Sequence, residues 1–365
     1  MMKINSVCRL LNHWCSLDNA EDFDNVGLLI GDPQWDLKGV LVTLDTTQEI
    51  IREAIRNNCN LIVSFHPIIF SGLKSLTPKT YVQKTVIMAV ENKIAVYAIH
   101  TALDNYRYGV SHVMAEKLGL IKTQVFIPKK GNLLKLSTYV PNDHLDSVLD
   151  SIHHAGAGQI GDYDQCSFTT EGQGSFRGNQ NSNPAIGKPL EKTTVTETQI
   201  QVVFHKQYKN EIVKALKESH PYEEVAYEIF SLENPSKEIG MGIIGLFEKP
   251  LPEFDFLRLV KNRFGCHTIR HSKLIGRDIK TVVVLGGSGS FVLDSLKGKE
   301  IDAFISSDLK YHHFFQAENK MIFLDIGHYE SEQYTKDLIY KFLCDKMSNF
   351  AVLLSETLTN PVYYF

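Results

Sequence analysis

No stretch of this 365-residue chain is an uninterrupted apolar run approaching the roughly 18 residues that span a bilayer. A soluble protein is therefore expected. The N-terminus carries apolar residues at Ile4, Val7, Leu10, Leu11 and Trp14, interrupted by Asn5, Arg9, Asn12 and His13. That period is helical, and it reads as an amphipathic helix rather than a signal peptide. No Cys-x-x-Cys spacing occurs among Cys8, Cys15, Cys59, Cys166, Cys266 and Cys344, which argues against a zinc knuckle or a redox pair. Reduced, packed thiols and a cytoplasmic location are the expectation. There is also no excess of one charge: 38 Lys and Arg against 42 Asp and Glu give −4, without the electrostatic footprint of a nucleic-acid groove or a membrane surface. With 43 % apolar and 22 % charged residues, little room is left for extensive disorder.

The length exceeds what one hydrophobic core usually organises, so two or three compact units are expected. Short β-branched apolar runs at 40–44, 61–65 and 95–99 read as buried strands, with helical patterns at 47–57 and 80–92 between them. Alternating strands and helices predict a parallel sheet with right-handed crossovers. The layout recurs near the C-terminus, with strands at 281–285, 303–306 and 321–326 and a helical pattern at 291–296. Leu29-Ile30-Gly31 leads into the first set as Leu274-Ile275-Gly276 leads into the second. The fold class predicted is therefore α/β, with two similar βαβ-type halves, 1–130 and 241–365, forming one outer domain.

Between them, 131–240 has a different texture. A strand at 133–140, a helix at 143–155, a Gly-, Asn-, Ser- and Pro-rich loop at 172–189, a strand at 199–204, a helix at 209–218 and a strand at 223–230 suggest an inserted ferredoxin-like α+β domain.

Ligands of parallel α/β sheets gather beyond the carboxyl ends of the strands. Those positions hold Asp45, His66, His100 and Asp104 in the first half, and Gly286-Gly287-Ser288-Gly289, Asp308 and His328 to Glu332 in the second. His328 and Glu332, at i and i+4, share one helical face and can converge on one ion. His66 and Asp104 are placed to complete the set. Imidazole and carboxylate donors suit zinc, manganese, iron or nickel. Adjacent His312 and His313 point about 100° apart on a helix, which makes them poor partners on one ion. The glycine run lacks both a P-loop ending and a dinucleotide fingerprint, so a tight turn is its plainer explanation.

Five segments resemble the NGG-interacting-factor-three-like family, also called the GTP cyclohydrolase I type 2 family. They are Phe23 to Leu29, Ser64 to Phe70, His100 to Asp104, Gly286 to Gly289 and Gly327 to Glu332. The central segment, marked by His220 to Tyr227, resembles the PII- and CutA-like domain of the family's longer bacterial members. The resemblance implies a dinuclear metal centre in a homohexamer built as a dimer of trimers, with ligands at His66, Asp104, His328 and Glu332. Phe65 stands where the family places the first of two consecutive histidines. One or two ions per chain are thus expected, with His100 an alternative ligand for the second.

Two functions follow as expectations. One is a metal-dependent hydrolase acting on a nucleotide-like substrate, GTP by resemblance, with Asp45 and His100 as acid or base. The other is a non-catalytic metal-binding scaffold or sensor whose inserted domain takes a small effector, with His220 to Glu224 as its marker.

Overall fold

The computed structural model describes residues 2–365, which form two compact units. One joins the chain up to Pro128 with Glu238–Phe365; the other is Lys129–Lys237. The first contains β1 (Gly27–Ile30), β2 (Val40–Thr43), β3 (Leu61–Ser64), β4 (Ala95–Ala98) and β5 (Ile121–Pro128). The second contains β6 (Leu133–Pro141), β7 (Phe168–Arg177), β8 (Lys192–His205) and β9 (Tyr227–Ser231). The chain then returns to the first unit with β10 (Gly240–Leu251), β11 (Arg270–His271), β12 (Ile279–Ser288), β13 (Ala303–Ser307), β14 (Ile322–Asp325) and β15 (Val352–Leu354).

The first unit holds two sheets, ordered β1-β4-β3-β2-β15 and β11-β14-β13-β12-β10-β5. In each, three sequential strands run parallel, β2-β3-β4 and β12-β13-β14, and a short antiparallel strand that precedes them pairs with the third. The cores of the two sheets therefore share one topology. β15 adds a parallel strand beside β2, and β10 with β5 adds an antiparallel pair beside β12. The lead-in segments are less alike than their sequences: Leu29 and Ile30 lie on β1, whereas Leu274-Ile275-Gly276 follows β11, and the amides of Ile275 and Gly276 donate to the Glu253 carboxylate.

β2, β3 and β4 are buried along their whole length, which is why they read as continuous apolar runs rather than alternating ones. Thr47 caps the helix Gln48–Arg56, and a Thr80 and Gln83 capping box starts Tyr81–Glu91. The N-terminal helix Ile4–Trp14 buries Ile4, Val7 and Leu11 in the core shared with β2, β3 and β4, and Trp14 stacks on Phe342 at 4.1 Å. Burial of side chains of this size contributes about 1.5–3 kcal/mol each.

The second unit runs βαββαβ, its strands ordered β7-β8-β6-β9 and antiparallel throughout. Leu134, Leu136, Val140, Ile200, Val202 and Phe204 pack on helices Leu145–His154 and Lys209–Ser219. The expected loop at 172–189 is in part a strand, because β7 continues to Arg177, opposite Lys192 of β8. β7 is an edge strand and largely exposed, so it carries glycine and polar residues without the apolar alternation that marks buried strands. No helix among the described residues is long and apolar enough to cross a membrane.

Candidate metal centre

The carboxyl ends of the two parallel strand sets supply one constellation within the first unit. In the first sheet, Thr43 Oγ1 donates to the Asp45 carbonyl and Ser64 Oγ to the His66 carbonyl, at 2.9 and 2.8 Å. The same device thus fixes the backbone just beyond β2 and β3. Past β4, the five-residue helix His100–Asp104 begins with His100 at φ +28°, a left-handed conformation uncommon outside glycine. Past β14, the five-residue helix His328–Glu332 starts after Gly327 at φ +94°. Topologically equivalent strands therefore end in equivalent helices, each with a histidine at its start and a carboxylate four residues on.

His66, His328 and Glu332 bring one donor atom each to within 4.8 Å of one another. Both imidazole Nε2 atoms lie 3.0 Å from Glu332 Oε2. Neither contact has hydrogen-bond geometry, and this buried oxygen has no hydrogen-bond partner. A buried carboxylate oxygen held only by ion pairs, with no aligned hydrogen bond, is costly. Two donors each about 2.1 Å from one ion, at the angles of tetrahedral or octahedral coordination, stand about 3.0–3.4 Å apart. The 3.0 Å spacing of Glu332 Oε2 from each imidazole nitrogen, and the lack of an aligned hydrogen bond to that oxygen, both fit a divalent cation.

The far nitrogens of the rings are anchored. His66 Nδ1 pairs with Asp45 Oδ1 at 2.8 Å, His328 Nδ1 with Asp308 Oδ2 at 2.7 Å, and His100 Nδ1 with Asp24 Oδ1 at 2.8 Å. Carboxylates in this position hold a ring's orientation and favour the tautomer whose Nε2 lone pair faces the ion. Asp45 Oδ2 accepts from Thr359, and Asp308 also accepts from Ser288. Asp24 further accepts from the amide and hydroxyl of Thr101.

Titration follows the same geometry. Burial lowers the His66 pKa, but Asp45 and Glu332 outweigh it and raise it to about 10. Burial acts likewise on His328, where Asp308 and Glu332 raise it to about 11. Burial pushes the Asp104 carboxyl well up, reinforced by the charge of Glu332. For Glu332 itself burial is outweighed by the adjacent imidazoles, which keep it ionised. Without a cation the centre draws positive charge from protons on its own ligands, a role a metal ion takes over directly.

The glycines of 286–289 serve this packing. A Cβ on Gly287, at φ +66°, would stand 2.3 Å from Glu332 Oε1. The Gly287 amide donates to Ser331 Oγ, so the run is a tight turn that admits the carboxylate. Phe65 is fully buried, its ring centroid 4.9 Å from that of His66 and 5.5 Å from that of His100. It fills space and offers no donor. His312 stacks near Phe315 and His313 Nδ1 accepts from the Lys310 amide, on the short helix Tyr311–Ala317, and neither joins the cluster. Asp24 and Thr359 were not singled out by sequence as site residues, and Asp308 was noted only as a strand-end residue. Asp24 lies within the family-like segment Phe23 to Leu29, but nothing in the local sequence separates Thr359 from other polar loop residues.

The fold and this constellation define an α/β protein with a possible metal centre at the carboxyl ends of two parallel strand sets. The chain belongs to the Duf34/NIF3 (NGG1p interacting factor 3) family, whose profile matches residues 2–361. It is 34 % identical over 361 residues to a protein of Halalkalibacterium halodurans named GTP cyclohydrolase 1 type 2 homolog, covering 98 % of this chain and 97 % of that one. A Bacillus subtilis protein of the same name is 35 % identical over 350 residues, covering 94 % and 93 %. Among solved structures, a Bacillus cereus protein related to NIF3 superposes with a TM-score of 0.86 at 28 % identity, covering 100 % of this chain and 99 % of that one. A Staphylococcus aureus protein gives 0.77 at 28 % identity with the same coverage.

Proposed function

We propose that the protein is a divalent-metal-dependent hydrolase acting on a nucleotide-like substrate. The observation that carries this reading is the Glu332 oxygen, buried without a hydrogen-bond partner between two imidazoles that are each anchored from behind by a carboxylate. In it His66, His328 and Glu332 hold the ion and Asp104 stands beside them. Zinc, manganese, iron and nickel all suit these donors. A bound divalent ion supplies Lewis acidity that brings the pKa of water from 15.7 toward about 7.

The chain's own groups do the rest. Asp45 has both oxygens engaged, by His66 and Thr359, and acts as a holder of His66 rather than as a free acid or base. His100 is the acid–base group: Asp24 holds its Nδ1, leaving Nε2 to accept a proton from the attacking water and return it to the leaving nitrogen. The names of the curated relatives make GTP the first substrate to test, by two successive hydrolyses: one water opens the guanine imidazole ring to a formamide, and a second cleaves that formamide to release formate and leave the amine. Formate release from GTP by metal-loaded protein, lost in His100→Gln with metal content retained, is the expected result. No turnover by the loaded wild type, or unchanged turnover by the variant, contradicts this mechanism.

A second reading, an effector-binding role, rests on the second unit. Its βαββαβ order fits a ferredoxin-like, PII- or CutA-like domain, and it contains a cavity of about 760 Å³ lined by Tyr139, Phe176, Glu197 and Tyr222. Tyr222 Oη donates to the buried Glu197 carboxylate at 2.7 Å. A homohexamer belongs to both readings, and light scattering at six times the chain mass tests it.

A further inference from the structure

The segment after β15 is pinned to the first unit at successive points. Glu53, on the helix Gln48–Arg56 and only 4 % exposed, accepts from Ser355 Oγ at 2.7 Å, the Glu356 amide at 2.9 Å and Thr357 Oγ1 at 2.7 Å. Burial alone would raise the Glu53 pKa, but these donors outweigh it and lower it, so the anchor is an ionised carboxylate. On the other side Lys336 Nζ donates to the Ser355 carbonyl at 3.2 Å. Two residues beyond the last Glu53 contact, Thr359 Oγ1 donates to Asp45 Oδ2 at 2.6 Å. Further on, the Tyr364 hydroxyl stands beside Gly327, where a Cβ would meet it at 3.3 Å, and the Tyr364 ring lies 5.8 Å from that of His267. The C-terminal segment thus passes from the side of the first sheet to the residue preceding the second sheet's ligand helix.

The geometry points to Thr359 as a positioning residue for the metal centre, acting through Asp45 on His66. The relay is Thr359 Oγ1 to Asp45 Oδ2, Asp45 Oδ1 to His66 Nδ1, and His66 Nε2 toward Glu332. A carboxylate bonded at one oxygen only is free to rotate about its last torsion, whereas one bonded at both is fixed in its plane. The hydroxyl therefore sets the direction in which Asp45 holds the His66 ring, and with it the aim of the Nε2 lone pair. This inference rests on the proposed metal centre.

The test is calorimetric titration of metal-stripped, full-length protein with Mn²⁺, using the wild type, Thr359→Val, Thr359→Ser and Thr357→Val. Thr359→Val keeps the size and removes the donor, and is expected to weaken Mn²⁺ binding by about 10- to 100-fold. Thr359→Ser restores the hydroxyl and is expected to bind within about threefold of wild type. Thr357→Val loosens the Glu53 clamp without touching Asp45. It is expected to lower the melting temperature while leaving Mn²⁺ affinity nearly unchanged. Undiminished affinity in Thr359→Val overturns the inference, and so does an equal loss in Thr357→Val, which would make the segment a general brace. Failure of the wild type to bind Mn²⁺ and, in parallel titrations, Zn²⁺, Fe²⁺ and Ni²⁺ overturns the metal centre itself, a different outcome from either.

Discussion

His66 Nε2 lies 3.0 Å from Glu332 Oε2, although the two residues follow strands of different sheets and are 266 positions apart in sequence (332 − 66). His328 Nε2 approaches the same oxygen at the same distance. Glu332 is therefore the point at which the two halves of the first unit meet chemically. Glu332→Gln keeps the volume and removes the charge. It should lower divalent-ion affinity by more than the roughly 10- to 100-fold that loss of a residue merely holding a ligand costs. Titration of the stripped variant checks this, and near-wild-type affinity would remove Glu332 from the centre.

Gly287 tests how tightly that carboxylate is seated. Alanine there must adopt φ +66° and place its Cβ 2.3 Å from Glu332 Oε1. The strained backbone costs about 1–3 kcal/mol, and the methyl group displaces the ligand. Gly287→Ala should combine a lowered melting temperature with weakened metal binding, whereas a variant with unchanged affinity would show the carboxylate free to shift.

Phe65 gives a stoichiometric test. Its side chain is fully buried, so Phe65→His buries a further imidazole beside His66 and His100, at a cost of about 1–3 kcal/mol where it finds no partner. If the phenylalanine has removed a ligand from a second ion site, the variant should bind one more ion per chain than the wild type. An unchanged ratio would show that the surroundings no longer form such a site.

Asp24 supplies the pH dependence. Burial alone would raise its pKa, yet His100 and Thr101 bring it from 3.8 down to about 2. A carboxylate depressed in the folded state adds stability that is present above its unfolded pKa and lost as pH falls through the folded one. In the metal-stripped protein this amounts to about 1–2 kcal/mol. Urea unfolding should show Asp24→Asn less stable than the wild type near pH 6, the gap closing between about pH 4 and pH 2. A gap independent of pH would contradict the role given to the Asp24 carboxylate.

Legibility in the sequence followed burial. Strands β2, β3, β4, β13 and β14, buried on both faces, were marked by apolar runs, and the exposed edge strand β7 was not. His66, His328 and Glu332 stood out because strand ends collect ligands and i, i+4 spacing shares a helix face. Asp308 was marked only as a strand-end residue and Asp24 only as part of a family-like segment, and Thr359 was not marked at all, because holding a carboxylate or a ring from behind requires only one oxygen at one place, which tertiary packing supplies. The rule of parallel strand ends located the ligands together with Asp45 and Asp308, whereas no local rule locates Thr359, which aims Asp45 in turn.

The most direct measurement is elemental analysis of untagged protein purified without chelators, beside His328→Ala, reported as metal atoms per chain. At least about one divalent ion per chain in the wild type and nearly none in the variant, with cooperative unfolding kept, is the predicted result. Equal metal content in both proteins, or a wild type that carries and takes up none, would contradict the centre described above.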